Sequence, residues 1–399
     1  MRQPFTVVDL FSGAGGMSYG FHRHPAFQLI AAADAEIGKP SMGSGTLQCN
    51  TTYAENMGFA PKRIDLGNVA ADELRGALGL SGHETISVLS VCPPCTGFSR
   101  ANPENHLRDD HRNSLVKKAA DFALALNAEI VVMENARELL RGNFGEHFAE
   151  FRATLEASGY AVAAKNYYLT RFGLPQIRER AIVIAAKCDR PLRTLDDLWS
   201  GYAVRESETT VRAAFRSIAR RASGRDQFPG ISDPTVLARL HAISHDGGSW
   251  LELVGHPQAD ELMTPAMKRL VARKKLGSHP DVYGRMRWDR PAPTVKRECA
   301  HIGNGRYAHP TEDRLCTVRE MARLQGFPDD FQFVGTSLSN QYRHIGDAVP
   351  PLISHQLAHL CEWMLTGCRP SLAGTLLPGT HLRASSLIPV GQPELLEYV

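Results

Sequence analysis

The first half of this 399-residue chain alternates short apolar runs with helical patterns, and this alternation restricts the fold more than any other feature. The apolar runs at residues 6–11, 28–33, 86–91 and 129–133 have the length and composition of buried strands, and residues 114–128 have the apolar spacing of a helix. Strands that alternate with helices predict an α/β fold in which a parallel sheet carries helices on both faces. Ligands of such sheets bind beyond the carboxyl ends of the strands, so the residues that follow each strand are candidates for function.

A glycine-rich turn, SGAGG, follows the first strand. Gly13, Gly15 and Gly16 allow the backbone to approach a ligand closely, and the helix that starts next would direct its N-terminus at that ligand. The spacing GxGG differs from GxGxxG, which argues mildly against a pyrophosphate dinucleotide. The turn is therefore weak evidence for a nucleotide-like cofactor.

Acidic residues end the next two segments. Asp34 follows the second strand about 20 residues beyond the glycines, where a carboxylate can accept hydrogen bonds from a ribose diol. Asp65 ends a third short segment and is a second candidate contact, to an adenine amine. The alternative for Asp34 is a solvated carboxylate at the end of a strand.

The strand at residues 86–91 leads to two prolines and a cysteine. Pro93 and Pro94 remove two backbone donors and end the strand, so Cys95 lies at the mouth of the turn that follows. A lone cysteine is more often an inert thiol than a nucleophile. However, Glu134 follows the strand at residues 129–133 and is expected at the same edge of the sheet, which favours a thiol and a carboxyl in one crevice.

Residues 167–186 have the pattern of a hairpin that bends at Gly173. Gln176, Arg178 and Arg180 alternate along the returning strand, so they share one face. Two arginines beside a carboxylate indicate either a structural ion pair or an anion clamp, and the residues alone leave both open.

Charge is unevenly distributed. The chain has 45 Lys and Arg against 42 Asp and Glu, a net charge of +3, whereas residues 187–290 have 18 against 13. Basic clusters at residues 216–225, 268–275 and 285–287 are what a nucleic-acid-facing module would have, although a solvated helical surface is the usual alternative and the excess is modest.

Composition excludes several other classes. No apolar run approaches the length of a membrane span and no charged leader precedes the first strand, so we expect a cytoplasmic protein without membrane contact. The eight cysteines lack zinc-type spacing, and no metal site is predicted. Cys92 and Cys95 form a C-x2-C pair that only weakly suggests a redox dithiol.

Two helices are predicted near the C-terminus. Thr317 and Glu320 form a capping-box pattern that opens a helix over residues 318–325. Residues 352–365 have the pattern of an amphipathic helix, and the following Pro-, Gly- and Ser-rich tail gives no prediction.

The ordered motifs DLFSGAGG, PPCTGFS, ENARELL, QIRER, RECAHIGNG, HPTEDRLCTVREMARLQGFPDDF and IGDAVPP closely resemble the DNA (cytosine-5)-methyltransferase family. The match runs from about residue 6 to residue 365, and the order PPC, EN, QxRxR is highly specific. The resemblance implies a Rossmann-like S-adenosylmethionine-dependent domain and a smaller target-recognition domain inserted before the final motif.

The resemblance also implies roles for single residues. Cys95 would be the nucleophile, Glu134 would hydrogen-bond cytosine N3, and Arg178 and Arg180 would line the cytosine pocket. The residues expected to hold S-adenosylmethionine are Phe11, Gly13, Gly15, Gly16, Asp34, Asp65, Pro94 and Leu115.

The implied chemistry is thiolate addition to C6, which makes C5 nucleophilic enough to attack a methyl sulfonium. The target base would be flipped out of the duplex, with residues 96–113 as the lid. Four departures from the family pattern stand near this chemistry. Thr96 replaces the usual Gln, Ala136 replaces Val, Asp347 replaces Asn, and the connection GKPSMGSG is longer than usual.

We therefore expect a catalytic and cofactor domain over residues 1–188, target recognition over 189–335, a return to the catalytic domain over 336–368 and a tail over 369–399. The expected partner is double-stranded DNA, read by a monomer that serves a restriction or phage-defence system. An RNA methyltransferase and a DNA-binding homologue without catalysis are the alternatives.

Overall fold

The computed structural model describes residues 3–37, 47–82, 85–94, 109–216, 218, 226–276, 281–334 and 337–390. Within them the strands are β1 (Phe5–Leu10), β2 (Phe27–Ala33), β3 (Val88–Val91), β4 (Ile130–Ala136), β5 (Tyr160–Tyr168), β6 (Glu179–Lys187), β7 (Tyr202–Val204) and β8 (Leu387–Pro389). The strands predicted at residues 6–11, 28–33, 86–91 and 129–133 are present, although Glu134 lies inside β4 rather than after it. The short segment that ends at Asp65 is not a strand and forms only an isolated bridge, between Lys62 and Ala33.

Helices fill the intervals between the strands and most of the second half of the described chain. They are α1 (Gly16–His22), α2 (Cys49–Met57), α3 (Leu74–Ala77), α4 (Ser114–Ala125), α5 (Glu138–Arg141), α6 (Glu146–Ala157), α7 (Leu195–Leu198), α8 (Val211–Arg216), α9 (Pro234–His241), α10 (Ala259–Leu262), α11 (Pro265–Ala272), α12 (Val318–Leu324), α13 (Leu338–Asp347) and α14 (Pro351–Thr366). The predicted capping box is confirmed at the start of α12, where Thr317 and Glu320 cap one another.

The central sheet has the order β2-β1-β3-β4-β6-β5. Its first four strands are parallel, as predicted, whereas β6 runs antiparallel to both β4 and β5. The sheet is therefore mixed. Because β6 is reversed, its start lies at the edge where the parallel strands end, and Arg180 pairs with Ala136.

Helices cover both faces of this sheet. Alternate residues of the strands, such as Val7 and Val88, contribute to a core shared with α1 and α14, whereas Val8 and Leu89 contribute to a core shared with α4 and α6. This alternation is the period-two pattern of a sheet that is buried on both sides.

A third core lies in the second half of the chain. It joins residues of α8, α9 and α11 with α12 and α13 around the buried side chains of Trp250, Phe327 and Tyr342. Tyr19 of α1 and Tyr53 of α2 also belong to this core, so it meets the helices beside the first two strands.

Helix α14 is buried along nearly its whole circumference, so the prediction of an amphipathic helix was wrong. The reason is that α1 packs on one side, while Leu372, Leu376 and Leu382 from the following segment belong to the same core. The helix face that the sequence predicted to be exposed is therefore covered by the segment that follows α14. No helix in the described ranges is both long and apolar enough to cross a membrane.

Candidate active site

The glycine-rich turn lies between β1 and α1, at the carboxyl edge of the sheet. Gly13 and Gly15 have φ values of 51° and 94°, a conformation that favours glycine. A Cβ on Gly16 would lie 2.3 Å from the Val349 carbonyl oxygen, whereas a Cβ on Gly13 would meet nothing within 4 Å. Gly16 therefore allows the turn to pack closely against the Val349 backbone, whereas Gly13 borders open space.

Phe11 opens this turn with a φ of 60°, which is unusual for a residue with a side chain. Such conformations cost on the order of 1–3 kcal/mol and persist where the surroundings enforce them. The Phe11 side chain is half-buried against the core that includes Leu10. The strained residue thus lies beside the turn that the sequence assigned to the cofactor.

Asp34 holds the glycine turn through its carboxylate. Its Oδ2 accepts a hydrogen bond from Gly13 N at 2.9 Å, and its Oδ1 accepts one from Glu36 N at 2.7 Å. Burial raises the pKa of this carboxyl. Asp34 therefore positions the turn, in addition to any ligand contact.

Glu36 is a second carboxylate at this position that the sequence analysis missed. Its Oε1 accepts a hydrogen bond from Asn50 N at 2.9 Å, at the start of α2, and its side chain is largely buried. Its position two residues after Asp34 was the sequence feature that could have identified it as a candidate.

Asp9 was also missed, although it is the single charged residue in an apolar strand. Ser18 and Ser90 donate hydrogen bonds to its carboxylate at 2.5 and 2.7 Å, and Ser18 also contacts the Tyr53 hydroxyl at 2.8 Å. Burial raises the pKa of Asp9 to about 6. This buried network joins β1 and β3 to the two helices beneath the glycine turn.

Asp65 is exposed and caps its own turn. Its carboxylate accepts hydrogen bonds from Gly67 N at 3.0 Å and from Asn68 Nδ2 at 2.8 Å. A Cβ on Gly67 would lie 3.8 Å from Leu115 Cδ2, so Leu115 borders the same turn. Hydrogen bonds of Lys62 with residues 32 and 34 attach this segment to the end of β2. Asp65 and Leu115, two of the residues predicted to hold the cofactor, therefore lie near one another.

Cys95 and Thr96 lie outside the described residues, as does the GKPSMGSG connection. The exposed Pro94 is the last described residue before them, and the preceding carbonyl, of Pro93, accepts a hydrogen bond from Asn135 Nδ2 at 3.1 Å. This bond fixes the end of β3 beside the end of β4.

Cys92, the other cysteine of this stretch, is a structural thiol. Its Sγ accepts a hydrogen bond from Glu134 N at 3.3 Å. Burial raises the pKa of Cys92 well above its ordinary value, so the reactive thiolate is disfavoured.

Glu134 is 8% exposed and faces both arginines of the QIRER motif. Its Oε1 lies 3.0 Å from Arg180 Nε and 3.9 Å from Arg178 Nη2. Oε1 nevertheless accepts no aligned hydrogen bond within the described part of the chain. The carboxyl is therefore held electrostatically while this oxygen keeps its capacity for a further donor.

Arg178 also has a structural role that sequence reasoning missed. Its two terminal nitrogens donate hydrogen bonds to the carbonyl oxygens of Val295 and Ala348, at 3.1 and 3.3 Å. Gln176 is buried as well, and its Nε2 donates to the carbonyl oxygen of Leu324 at 2.8 Å. These two residues precede β6, so the motif joins three segments of the chain.

Comparison with known proteins identifies the family of this chain. Residues 5–363 match the family model of C-5 cytosine-specific DNA methylases. The chain belongs to this family. Its enzymatic class is therefore that of the DNA (cytosine-5)-methyltransferases, as the sequence motifs predicted.

Relatives of the methyltransferase match over most of their length. The Type II methylase M.HgiDII of Herpetosiphon aurantiacus is 29% identical over 370 residues, which cover 90% of this chain and 96% of the relative. The Type II methyltransferase M1.HphI of Haemophilus parahaemolyticus is 29% identical over 88% of this chain and 85% of its own.

The fold also matches solved structures. The S. pombe Dnmt2 methyltransferase superposes with a TM-score of 0.54 at 16% identity, over 90% of this chain and 98% of that one. At this identity the likeness supports the Rossmann-like fold alone.

Two departures from the family pattern can be located in the methyltransferase. Ala136 is buried in β4 opposite Arg180. Asp347 ends α13, and its Oδ2 lies 3.4 Å from Arg297 Nε. Desolvation raises the pKa of Asp347 to about 6, although solvent still reaches 40% of the side chain. Asp347 directly precedes Ala348, whose carbonyl oxygen accepts a hydrogen bond from Arg178.

Proposed function

We propose that the methyltransferase transfers a methyl group from S-adenosylmethionine to C5 of cytosine at a specific site in double-stranded DNA. The observation that carries this proposal is the buried Glu134 carboxyl, held by Arg180 at 3.0 Å with Oε1 still able to accept a hydrogen bond. A cytosine ring presents N3 and an exocyclic amine to such a carboxyl.

The cofactor site would be the edge formed by the glycine turn. Open space above Gly13 admits a ligand, and the carboxylates of Asp34 and Glu36 lie directly beside it, where a ribose diol could be bound. Asp65 and Leu115 would border the adenine, and Phe11, Gly15, Gly16 and Pro94 would shape the rest of the site. S-adenosylmethionine supplies an electrophilic methyl group when it is bound.

Cys95 would act as the nucleophile. As a thiolate, its sulfur adds to C6 of the flipped cytosine, the C5–C6 electrons move toward C5 and N3, and Glu134 in its protonated form donates a proton to N3. After C5 has been methylated, C5 gives its proton to solvent, the sulfur leaves C6 as a thiolate and N3 returns its proton to Glu134, which restores the aromatic ring. Arg180 fixes the carboxyl throughout this sequence.

The partner assignment rests on charge and on the relatives. The basic residues of the second half would contact phosphates, which gives affinity without sequence information. Because M.HgiDII and M1.HphI carry Type II names, we propose that this chain serves a restriction or phage-defence system. We also propose that it acts as a monomer in the cytoplasm.

The test is methyl transfer by Cys95→Ser and Cys92→Ser variants, with labelled S-adenosylmethionine and either plasmid DNA or tRNA. We expect Cys95→Ser to abolish transfer to DNA and Cys92→Ser to retain most of it. Bisulfite sequencing would then identify the methylated position. Equal loss in both variants would contradict the assignment of the thiol, and transfer to tRNA alone would contradict the DNA substrate.

A further inference from the structure

A cluster of histidines lies where α1 meets α14, separate from the residues of the proposed active site. His24 follows α1, and His355, His359 and Glu362 occupy one face of α14 at a spacing of four and three residues. The His24 ring lies 4.1 Å from the His359 ring, and the His355 ring lies 4.8 Å from the latter. This group was not predicted from the sequence, because only the spacing of the cysteines was considered as evidence of a metal site.

Three of these side chains bring ligand atoms to one point. His24 Nε2 lies 2.9 Å from His359 Nδ1 and 3.3 Å from Glu362 Oε2, and all three atoms lie within 4.8 Å of one another. Around a tetrahedral zinc ion with Zn–N distances near 2.0–2.1 Å, neighbouring ligand atoms are about 3.3 Å apart. The cluster therefore already has nearly the spacing of a metal site.

The hydrogen bonds behind the cluster are typical of metal-binding histidines. His359 also bonds to the backbone of Gly374, and His355 Nδ1 lies 3.1 Å from the Gly20 carbonyl oxygen. Such backbone contacts fix the ring orientation and the protonation of the nitrogen that does not bind metal. The exception is His24, whose Nδ1 accepts a hydrogen bond from Ala26 N at 3.2 Å.

The charge of the cluster also favours a cation. Glu362 is two-thirds buried, and among the described residues its ion pairs involve His24 and neither lysine nor arginine. Neutral imidazoles with one carboxylate are a donor set that suits zinc.

We propose that His24, His359 and Glu362 bind one zinc ion, with water in the remaining position. In the metal-free form, the Nε2 proton of His24 bridges to His359. Zinc would replace that proton, which moves to Nδ1 of His24 to keep the ring neutral, so the Ala26 contact is lost and the affinity is lowered several-fold. The ion would join α1 to α14 behind the glycine turn.

The experiment is calorimetric titration of the untagged full-length chain with Zn²⁺ alone, for the wild type and for Glu362→Gln and His359→Gln. A matched control is His147→Gln, because Asp109, Glu146 and His147 form a second group of possible ligands on the surface. We expect one ion per chain in the wild type and the control, and an affinity at least tenfold lower in the cluster variants.

Circular dichroism and the melting temperature without metal identify any variant that folds poorly. For the wild type, Co²⁺ should give the visible absorption of a tetrahedral site, and Zn²⁺ should raise the melting temperature. The proposal is overturned if the wild type binds no zinc, if His147→Gln alone removes the ion, or if Co²⁺ shows only octahedral absorption.

Discussion

Glu134 Oε1 and Arg180 Nε lie 3.0 Å apart across two antiparallel strands. Arg180 is in register with Ala136, so Glu134 is its diagonal neighbour on the same face. The Arg180 guanidinium therefore lies beside the Glu134 carboxyl, and Oε1 can still accept a hydrogen bond. The reversed direction of β6 is therefore what brings the arginine to the edge where the parallel strands end.

The first prediction concerns this carboxyl. Glu134→Gln keeps the shape of the side chain but replaces the carboxyl with an amide that cannot transfer a proton to N3, so kcat should fall by about 10²–10⁴-fold. Single-turnover methylation of DNA measures this loss. The control is Glu138→Gln, an acidic residue of the following helix that pairs with Arg137. Similar losses in the two variants would argue against a specific role for Glu134.

The second prediction separates the two arginines. Arg178 is buried and bonds to the carbonyls of Val295 and Ala348, so Arg178→Lys should lower the free energy of unfolding by about 2–3 kcal/mol. Arg180→Lys should change stability much less and should mainly lower kcat. Chemical denaturation and methyl transfer measure the two effects. The reverse ranking in stability would refute the structural role of Arg178.

The sequence was sufficient to predict the features that depend on local pattern. The apolar runs defined β1 to β4, and the rule that ligands bind at strand ends brought Asp34 and Glu134 to one edge. The alternation of Gln176, Arg178 and Arg180 was also correct, although β6 begins only at residue 179.

Features that depend on distant contacts could not be predicted in this way. The network of Asp9 requires Tyr53 from a helix more than 40 residues later in the chain. The burial of α14 depends on residues that follow it, which periodicity within the helix cannot show. The role of Arg178 likewise depends on Val295, 117 residues away.

The third prediction is a pH dependence at Asp347. Its pKa in the folded protein is about 6, above the ordinary value of 3.8, because desolvation opposes the charged form. The folded state therefore binds more protons than the unfolded state between these values, and stability falls as the pH rises through this window. The cost is fully present above about pH 6 and absent below pH 3.8.

Asp347→Asn should remove this cost, and Asn is also the residue of the family pattern. Because solvent reaches 40% of the side chain, the gain should be small, about 1–2 °C in melting temperature at pH 8. The gain should diminish as the buffer is brought toward pH 4. Calorimetric melting of both proteins across this range measures it. A variant that melts lower than the wild type at pH 8 would show that the Arg297 ion pair outweighs desolvation.

The fourth prediction concerns the contact between α1 and α14. A Cβ on Gly20 would lie 2.2 Å from His355 N and 2.2 Å from Ser354 Oγ, and the backbone of the buried α14 cannot retreat. Gly20→Ala should therefore lower the free energy of unfolding by about 3 kcal/mol. It should also weaken binding of S-adenosylmethionine, because α1 begins at the glycine turn and Ser354 Oγ bonds to both Gly20 N and the Gly16 carbonyl.

The matched control for this prediction is the same substitution in an open helix. A Cβ on Gly76 of α3 would meet nothing within 4 Å, so Gly76→Ala should raise stability by about 0.5–1 kcal/mol through its helix preference. Urea denaturation gives both stabilities, and calorimetric titration gives the cofactor affinity. If Gly20→Ala unfolded at the same urea concentration as Gly76→Ala, the glycine turn would not depend on the close approach of α1 to α14.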